Sequence, residues 1–480
     1  MNKVLEKYKN MPEPMKASIW FVICSCIQKG ISVITVPIFT RILSTSQYGV
    51  YSVYQSWYSI ILVFTTLNLY AGVFNNGMLK YENDRDGFQS SLVGLSLTCT
   101  IVISVIYTIF RDFFTNVLAL DSVLVYLMLI EAFCSVGLSF WSARQRFDYK
   151  YKILIVVTVI LAVLSPVFGI IGVVLASESY KAFARIIVNV GVQVVFGGVL
   201  CVVAFKNGKQ FYNKEYWKFA LNFNLPLIPH YLAQTVLNQA DRIMIGNICG
   251  TDKAAIYSVA YSSAMLMTIF TQSINNSFVP WTYKAIKSGK YDNIRYISKV
   301  LLIIVGGISL ILVLFAPELI FILAGEQYAE AVNVIPPVAG AVFFMFLYPL
   351  FCNIEFYFEK TKFIMVASSL AAIVNIILNY GTIKIFGYVA AGYTTLICFI
   401  IISIAHYVFM KKVCKDNGIP LEIYDIRFIM IFSVIYLVII LTISLTYHMM
   451  IIRYVVIFIL LLIIFIKRHF FCDIIYKMKK

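Results

Sequence analysis

Charge is scarce in this 480-residue sequence. Asp, Glu, Lys and Arg together make up 13% of the residues, about half of the roughly 25% that soluble domains carry. Hydrophobic residues make up 61%, and the mean hydropathy is +0.86. The composition excludes an ordinary soluble protein. It predicts an all-α polytopic membrane protein, because helices satisfy their own backbone hydrogen bonds in lipid.

Two chemical signatures are also missing. The ten cysteines are scattered without a C-x-x-C pair, and thiols inside apolar spans usually pack as small hydrophobes. We therefore expect neither disulfides nor a metal site. The sequence has no G-x-x-x-x-G-K-[ST] phosphate loop, which is the element that binds ATP phosphates in many ATPases. We therefore expect no ATP hydrolysis by this chain and no cofactor.

Long hydrophobic runs, by contrast, are abundant. A bilayer core about 30 Å thick requires about 20 apolar residues per helix, and the chain has about 14 such runs. They lie at about 17–40, 48–73, 89–110, 115–142, 153–177, 183–205, 219–248, 254–283, 297–323, 330–356, 362–386, 388–410, 426–447 and 451–466. The outer loops between them are short, which favours a transporter over a membrane enzyme with catalytic residues on a long loop.

The basic residues are distributed unevenly between the loops. If both termini are placed in the cytoplasm, 30 of the 39 Lys and Arg residues fall in inner segments. Two, Lys29 and Arg242, lie inside spans. The outer segments hold Arg41, Arg111, Lys181, Arg185, Lys253, Lys384 and Arg453. This asymmetry follows the positive-inside rule. The net charge of +16 thus indicates a topology with both termini cytoplasmic, and not nucleic-acid binding.

The sequence also contains an internal repeat. Arg41-Ile42 is followed by the segment GVYSVY at 49–54, and Arg242-Ile243 is followed by AIYSVAY at 255–261, an offset of about 200 residues. The pair Asn75-Asn76 recurs as Asn275-Asn276. Six spans separate the copies, so both have the same orientation, as in parallel repeats related by an axis along the membrane normal.

The repeat predicts two six-helix lobes. The N-terminal lobe comprises residues 1–205 with spans 1–6, and the C-terminal lobe comprises residues 219–413 with spans 7–12. A cytoplasmic linker, 206–218, joins them, and we expect either a short helix on the membrane surface or a solvated loop. Residues 414–480 add spans 13 and 14 and a cytoplasmic tail.

Three segments resemble a known group of proteins. They are NLPLIPHYLAQTVLNQADRIMIG at 224–246 with GTDKAAIYSVAYSSA at 250–264, TRILSTSQYGVYSVYQSW at 40–57, and KTKFIMVASSLAAIVNIILNYGTIKIFGYVAAGYTTLI at 360–397. They resemble the bacterial oligosaccharide flippases, the exporters of O-antigen and capsule repeat units. The resemblance covers nearly the whole chain, including the span count. Multidrug and toxic-cation antiporters and peptidoglycan-precursor flippases belong to the same superfamily, and fold alone does not choose among them.

The resemblance implies a transport function. The cargo would be a polyprenyl-pyrophosphate-linked oligosaccharide repeat unit, moved across the bacterial cytoplasmic membrane by alternating access between the lobes for surface polysaccharide synthesis. An H⁺ or Na⁺ gradient or the membrane potential would drive it, with membrane lipids and polysaccharide polymerase or assembly proteins as partners. The alternatives are a multidrug or cation antiporter of the same superfamily and, less favoured, a polytopic polysaccharide polymerase or glycosyltransferase.

Three titratable residues are expected at similar depth. Lys29 lies about 18 Å into span 1, Glu131 about 15 Å into span 4 and His230 about 16 Å into span 7, at a rise of 1.5 Å per residue. Intramembrane charges are functional candidates because they are costly there. Lys29 either attracts the cargo's pyrophosphate or forms an ion pair with Glu131. Glu131 either exchanges a proton or cation or packs beside Lys29, and His230 either couples protons or is a hydrogen-bonded core residue.

Span 7 carries further polar and helix-breaking residues. Pro226 and Pro229 remove backbone donors and predict a bend, either mobile and ligand-facing or static, with Asn224 beside it. Asn238 and Gln239 either bind sugar hydroxyls or hydrogen-bond between helices.

Asp241-Arg242 is an adjacent acid and base within the same span. In a continuous helix from Phe219, Asp241 would lie about 33 Å along, near the outer boundary. The repeat matches Arg242 with Arg41. We expect Asp241 with either arginine to close the outer mouth between the lobes, or to form a fixed structural tie.

Overall fold

A computed structural model describes residues 11–466, and in that range the chain forms α-helices and short 3₁₀ helices without any strand. The helices are α1 (Glu13–Ile42), α2 (Thr45–Thr66), α3 (Gly72–Lys80), α4 (Arg85–Ile109), α5 (Arg111–Leu118), α6 (Ser122–Phe147), α7 (Tyr151–Leu175), α8 (Lys181–Gly208), α9 (Lys214–Asn224), α10 (Ile228–Cys249), α11 (Thr251–Met265), α12 (Met267–Lys287), α13 (Tyr291–Leu314), α14 (Ala316–Ala324), α15 (Ile335–Tyr357), α16 (Thr361–Phe386), α17 (Ala390–Asp416), α18 (Ile426–Leu445) and α19 (Met450–Ile466). The predicted all-α membrane architecture is confirmed. The predicted cytoplasmic tail after residue 466 lies outside the described residues.

Eleven helical segments within residues 11–466 are long and apolar enough to cross a membrane. The other three predicted spans correspond to α2, α10 and α19. In α19 only a shorter apolar segment, Met450–Ile459, qualifies, whereas α2 and α10 have enough length but more polar residues. The multi-pass character is confirmed, and the count of about 14 stays a prediction.

Both copies of the repeat contain a helix break at the matching place. The first copy breaks after Thr66, where Leu67 and Asn68 have φ of 47° and 52°. The second copy breaks at Leu266, between α11 and α12. The two breaks are about 200 residues apart, the same offset as in the sequence. The repeat therefore extends from sequence to local backbone structure.

The predicted span 219–248 is interrupted near its prolines. Helix α9 ends at Asn224, a 3₁₀ turn spans Leu225–Leu227, and α10 begins at Ile228. Pro226 and Pro229 each occupy an early position of their segment, where a missing N–H costs nothing because that donor has no partner inside the helix. The prolines thus begin new helical segments instead of kinking one.

The linker between the predicted lobes contains a short helix, one of the two expected alternatives. The Asn213 side chain accepts hydrogen bonds from the Glu215 and Tyr216 N–H groups and caps α9. The Trp217 indole then donates to the Ser91 carbonyl over 2.9 Å, which holds α9 against α4. The linker is therefore packed on the helices before it.

The chain divides into two compact units, Met1–Ala255 and Ile256–Lys480. In the first unit α6 and α8 lie close together: a Cβ atom at Gly197 would lie 2.2 Å from the Cys134 carbonyl oxygen. Helix α10 belongs to this unit, where it packs against α2. The compact units therefore include α10 in the first unit. The sequence repeat, in contrast, predicts that this helix belongs to the start of the second lobe. The lobe boundary at 206–218 stays a prediction.

The second unit is built around α15, which is buried along most of its length and packs extensively against α17. Helix α19 is fixed to α14 by Arg453, whose side chain is 4% exposed. Its Nη2 and Nη1 donate to the two Glu318 carboxylate oxygens over 2.8 and 2.9 Å. Arg453, which was counted with the outer segments, is a buried residue in the first turn of α19 with a bidentate partner, and its side of the membrane stays a prediction.

Candidate substrate and coupling site

The two polar long helices, α2 and α10, contact each other directly within the first unit. A Cβ atom at Gly49 would lie 1.7 Å from the Thr251 carbonyl oxygen, and one at Gly246 would lie 2.8 Å from Val53 Cγ2. Only a residue without a side chain fits at Gly49. These glycines allow the backbones to approach so closely that short polar side chains reach across.

Polar contacts follow this glycine seam. Gln239 Oε1 accepts hydrogen bonds from Ser56 Oγ at 3.2 Å and from Arg242 Nη1 at 2.8 Å. Arg242 Nη1 also donates to the Asn238 carbonyl at 2.9 Å, while the Asn238 amide donates back to Gln234 within the helix at 2.7 Å. Gln239 and Arg242 are thus brought together, and Gln239 joins α10 to α2.

Asp241 is buried beside this cluster. Its side chain is 2% exposed, and it lies 13 residues past Ile228, about 20 Å along α10. The expected distance of about 33 Å assumed a continuous helix from Phe219, which the structure does not contain. Arg41 lies in the last turn of α1, where its exposed Nη1 donates to the Pro37 carbonyl at 2.8 Å. The gating role of this set stays a prediction.

Glu131 lies at the centre of a buried network that joins four helices. Its side chain is 1% exposed. One carboxylate oxygen accepts from Tyr54 Oη on α2 at 2.7 Å, and the other accepts from Asn189 Nδ2 on α8 at 2.8 Å. Asn189 Oδ1 in turn accepts from Ser165 Oγ on α7 at 2.8 Å. Both carboxylate oxygens are satisfied by neutral donors, so the group is held in place without a fixed countercharge from these residues.

A polar cavity of about 250 Å³ adjoins this network, because Ser165 and Asn189 also line it. It is lined by Gln28, Ile31, Ser32, Thr35, Phe39, Tyr51, Ala162, Ser165, Pro166, Arg185 and Asn189, from α1, α2, α7 and α8. Lys29 follows Gln28 on α1 and is half-buried. Arg185, which was counted with the outer segments, is the fifth residue of α8 and lines the cavity.

The residues around the α9–α10 junction have structural contacts. Asn224 is fully buried and its Nδ2 donates to the Leu67 carbonyl, which supports the left-handed turn after α2. His230 is half-buried, with its ring centroid 6.1 Å from that of Tyr231. Pro226 and Pro229 are exposed. Their roles in binding, coupling or bending stay predictions.

A second buried carboxylate, in the other unit, was missed in the sequence. Glu355 on α15 lies 3.0 Å from His406 Nδ1 on α17, and their side chains are 0% and 2% exposed. Cys352 offers a third potential ligand atom, within 4.8 Å of the other two. The sequence did contain a signal for this pair, because Glu355 and His406 are titratable residues inside apolar runs. Glu131 was selected for that same reason.

Three members of the first unit's polar interior were also missed. Tyr54 lies inside the repeated segment GVYSVY, which indicated the repeat and gave this side chain no role. Arg185 and Asn189 are polar residues in an otherwise apolar run, and this could have identified them. Their partners, however, come from helices far away in sequence, so no spacing in the sequence predicts the contacts.

Comparison with known proteins identifies the family of this chain. Residues 15–286, more than half of the chain, match the family model described as polysaccharide biosynthesis protein, and residues 226–381 match the MatE model. A protein of the Lsg locus of Haemophilus influenzae is 25% identical over 169 residues, which are 33% of this chain and 40% of that protein. A membrane protein of the same organism is 24% identical over 173 residues, 35% and 43% of the two chains. The matches thus span less than half of these relatives.

Solved transporters have the same fold. The lipid II flippase MurJ in its inward closed conformation gives a TM-score of 0.68 at 14% identity, covering 94% of this chain and 100% of that one. An inward-facing multidrug resistance MATE transporter gives 0.59 at 12% identity, covering 82% and 96%. A MOP superfamily transporter from Pyrococcus furiosus gives 0.54 at 15%, covering 83% and 96%. The chain therefore belongs to the polysaccharide biosynthesis protein family, and its fold is that of the MOP superfamily transporters.

Proposed function

We propose that this chain is a flippase that moves polyprenyl-pyrophosphate-linked oligosaccharide repeat units across the bacterial cytoplasmic membrane for surface polysaccharide synthesis. Both termini would be cytoplasmic, and the mechanism would be alternating access between the two lobes. The observation that carries the proposal is the family match over residues 15–286. That range includes the first unit from residue 15 onward, with its polar cavity and the seam of α2 and α10.

Cargo binding is assigned to cations and amides of the first unit. Lys29 would attract the pyrophosphate, because an ammonium group forms strong charge-assisted hydrogen bonds with phosphate oxygens. Arg242 would act with Gln239, which already accepts its hydrogen bond. Asn238, Asn224 and Arg41 complete the predicted set. Asn224 is the weakest member, since its amide nitrogen already donates to a backbone carbonyl.

Ion coupling is assigned to Glu131. The carboxylate is buried and held by neutral donors from α2 and α8. A proton or Na⁺ arriving there would neutralise a charge that is costly to bury and would change the hydrogen bonds that join two helices. His230 is the second candidate for this role, and Pro226 and Pro229 would provide the bend.

Gating is assigned to Asp241 with Arg41 or Arg242. Cysteine pairs at positions 41 and 241 should crosslink with a yield that changes when the cargo or the ion gradient is supplied. A yield independent of transport state would leave only a structural tie.

A second candidate function is export of drugs or organic cations. It is favoured by the match of residues 226–381 to the MatE model and by the MATE transporters that share the fold. Such cargo is cationic, and we expect it to require acidic cavity residues. Among the residues lining the polar cavity of the first unit, Arg185 is the charged one, which favours the flippase.

The deciding experiment is deletion in the native host, followed by mass spectrometry of polyprenyl-linked intermediates. We expect surface polysaccharide to be lost and the lipid-linked repeat unit to accumulate, with recovery on complementation. Unchanged polysaccharide and precursor, together with new sensitivity to cationic dyes, would replace the flippase by the antiporter. Sugar transfer by the purified protein would replace both by a glycosyltransferase.

A further inference from the structure

Arg185 is held between two aromatic rings in the wall of the polar cavity. Its Cζ atom lies 3.4 Å from the ring centroid of Phe39 on α1 and 3.7 Å from that of Tyr51 on α2. Stacking of this kind is favourable for a guanidinium group, which is planar and weakly hydrated. Because the N–H groups of a guanidinium lie in its plane, Arg185 donates hydrogen bonds from its edge.

One edge nitrogen of Arg185 lacks an acceptor. Its Nη1 atom is buried, and within the described residues it has no hydrogen-bond partner. A buried donor without an acceptor is costly, more so on a charged group. Buried polar atoms are normally paired, and an orphaned one requires an explanation, of which a bound water or ion is one.

The cavity offers no acidic partner of its own. Its polar lining residues are neutral apart from Arg185. The Ser165 and Thr35 hydroxyls already donate, to Asn189 and to the Ser32 carbonyl, so the donors that face a ligand are the Gln28 amide, the Ser32 hydroxyl and the second N–H of Asn189. The nearby carboxylate of Glu131 already accepts hydrogen bonds with both oxygens. The cavity therefore presents one cation and several neutral donors without a countercharge among its lining residues.

We propose that this cavity is an oxyanion site in which the edge of Arg185 binds a carboxylate or phosphate group. A planar guanidinium matches two oxygens of such a group, and the Gln28 amide and the Ser32 hydroxyl can bind the remaining oxygens. A volume of about 250 Å³ is below the roughly 300–1,000 Å³ of sites for whole drug-sized ligands. The site therefore takes one acidic group or one sugar, and not a whole repeat unit.

The inference deepens the proposed function and rests on it for the source of the anion. In a flippase, the group would be either the diphosphate of the lipid carrier or the carboxylate of an acidic sugar. Both supply the same pair of oxygens to Arg185. The binding step itself requires no transport, so it can be tested on the purified chain.

The test measures anion binding to the purified full-length protein in detergent, from the shift of its thermal unfolding midpoint during titration. Inorganic pyrophosphate and glucuronate represent the two sources, and glucose is the neutral control, all at one ionic strength. We expect saturable stabilisation by at least one anion and none by glucose. The anion that binds more tightly identifies the source. The wild-type titration alone overturns the proposal if neither anion binds.

Variants then assign the binding to Arg185. We expect Arg185→Gln to weaken binding at least tenfold, within the range for a charged hydrogen bond. Arg185→Lys should weaken it less, because it keeps the charge without the planar fork. The control is Arg111→Gln: Arg111 is exposed, donates to Ser122 Oγ at 3.0 Å and is outside the cavity lining. Equal affinity in wild type and Arg185→Gln would show that Arg185 only stacks between α1 and α2.

Failure of the site and failure of the flippase function have different signatures. If deletion leaves the lipid-linked precursor unchanged while Arg185→Gln still abolishes anion binding, the flippase assignment is wrong and the oxyanion site stands. If deletion causes the precursor to accumulate while anion binding is absent or independent of Arg185, the flippase assignment stands and the site is wrong.

Discussion

The two compact units each bury one glutamate among their long helices, and they satisfy it in different ways. In the first unit, Glu131 accepts hydrogen bonds from Tyr54 and Asn189, both neutral. In the second, Glu355 lies 3.0 Å from the imidazole of His406. Neutral donors orient a carboxylate without supplying a charge, whereas an imidazole can also supply the opposite charge when it is protonated.

The surroundings of the two glutamates differ as well. The Glu131 network continues through Asn189 and Ser165 into the wall of a polar cavity. His406 instead stacks on Tyr348 at 5.6 Å and meets the edge of Phe409 at 6.4 Å. The first unit thus links its carboxylate to a cavity through hydrogen-bond partners, whereas the second pairs its carboxylate with an imidazole between α15 and α17.

The internal repeat does not explain this similarity. Glu131 lies nine residues past Ser122, the start of α6, whereas Glu355 lies two residues before Tyr357, the end of α15. The two positions therefore differ in depth along their helices by several turns. Each unit has its own buried carboxylate, and a role in one unit cannot be transferred to the other.

The largest expected effect is on transport and concerns the first unit. Lys29→Ala should abolish export of the lipid-linked repeat unit, and Lys29→Arg should retain part of it, because the cargo's phosphate requires a cation. The measurement is surface polysaccharide in a complemented deletion strain at matched protein levels. Full export by the alanine variant would remove Lys29 from the mechanism.

Next is the stability of the second unit. His406→Leu leaves the Glu355 carboxylate buried without its partner, which should destabilise the fold by about 3–5 kcal/mol. The double variant Glu355→Met with His406→Leu should recover most of that loss. Thermal unfolding in detergent measures both.

The matched variant in the first unit, Glu131→Gln, should change the unfolding midpoint less and the ion dependence of export more. The reverse pattern would contradict the division of roles.

The glycine seam of the first unit should be sensitive to a single methyl group. Gly49→Ala places a Cβ atom 1.7 Å from the Thr251 carbonyl, and overpacking of this kind costs about 1–3 kcal/mol. Gly191→Ala is the control, because a Cβ atom there meets nothing within 4 Å and alanine is the better helix former. The seam is not tightly packed if both variants unfold at the wild-type temperature.

The smallest effect is a pH dependence in the second unit. A hydrogen bond from Lys299 Nζ, 2.5 Å from Asp425 Oδ2, holds the pKa of Asp425 below its usual range. A depressed folded pKa means that the stabilisation is present above the unfolded pKa, about 3.9, and is lost as pH falls through the folded value. Such a surface pair contributes at most about 1 kcal/mol.

Asp425→Asn tests this contribution. The variant should keep the hydrogen bond that caps α18 through the Phe428 N–H and should lose the acid-dependent part of the stability. Unfolding midpoints of the variant and the wild type, measured between pH 3 and pH 6, check this prediction. If the two proteins have the same acid dependence, the Lys299–Asp425 pair is not its source. In Asp425→Ala the cap is lost too, at a further cost of about 1 kcal/mol.

Much of the fold was predictable because each membrane span follows from a continuous run of apolar residues. Runs of apolar residues predicted the eleven segments that are long and apolar enough to cross a membrane, and the two proline residues lie where the helix of span 7 is interrupted. The distance of about 33 Å from Phe219 does not apply because hydropathy does not report where a helix is interrupted. The α2 and α10 spans are less apolar than the others because they carry the polar residues that join the two helices, such as Ser56 and Gln239.

The candidate site was predictable only in part. Glu131 was correctly found as a buried intramembrane charge, since such a charge is conspicuous in an apolar run. Its partners could not be found, because Tyr54 and Asn189 lie 77 and 58 residues away along the chain. The cavity position of Arg185 was missed because a cation near the end of an apolar run is typical of a loop.

The sequence by itself determined that this chain is a helical, multi-pass membrane protein with an internal repeat. It also determined that the chain belongs to the polysaccharide biosynthesis protein family. Those properties depend on composition and on local order. Tertiary structure alone decided which polar groups meet: Ser56 with Gln239, Glu131 with Asn189, and Arg185 with a cavity. The physical reason is that a buried polar group is satisfied by whichever helix packs beside it, and packing joins residues that are distant in sequence.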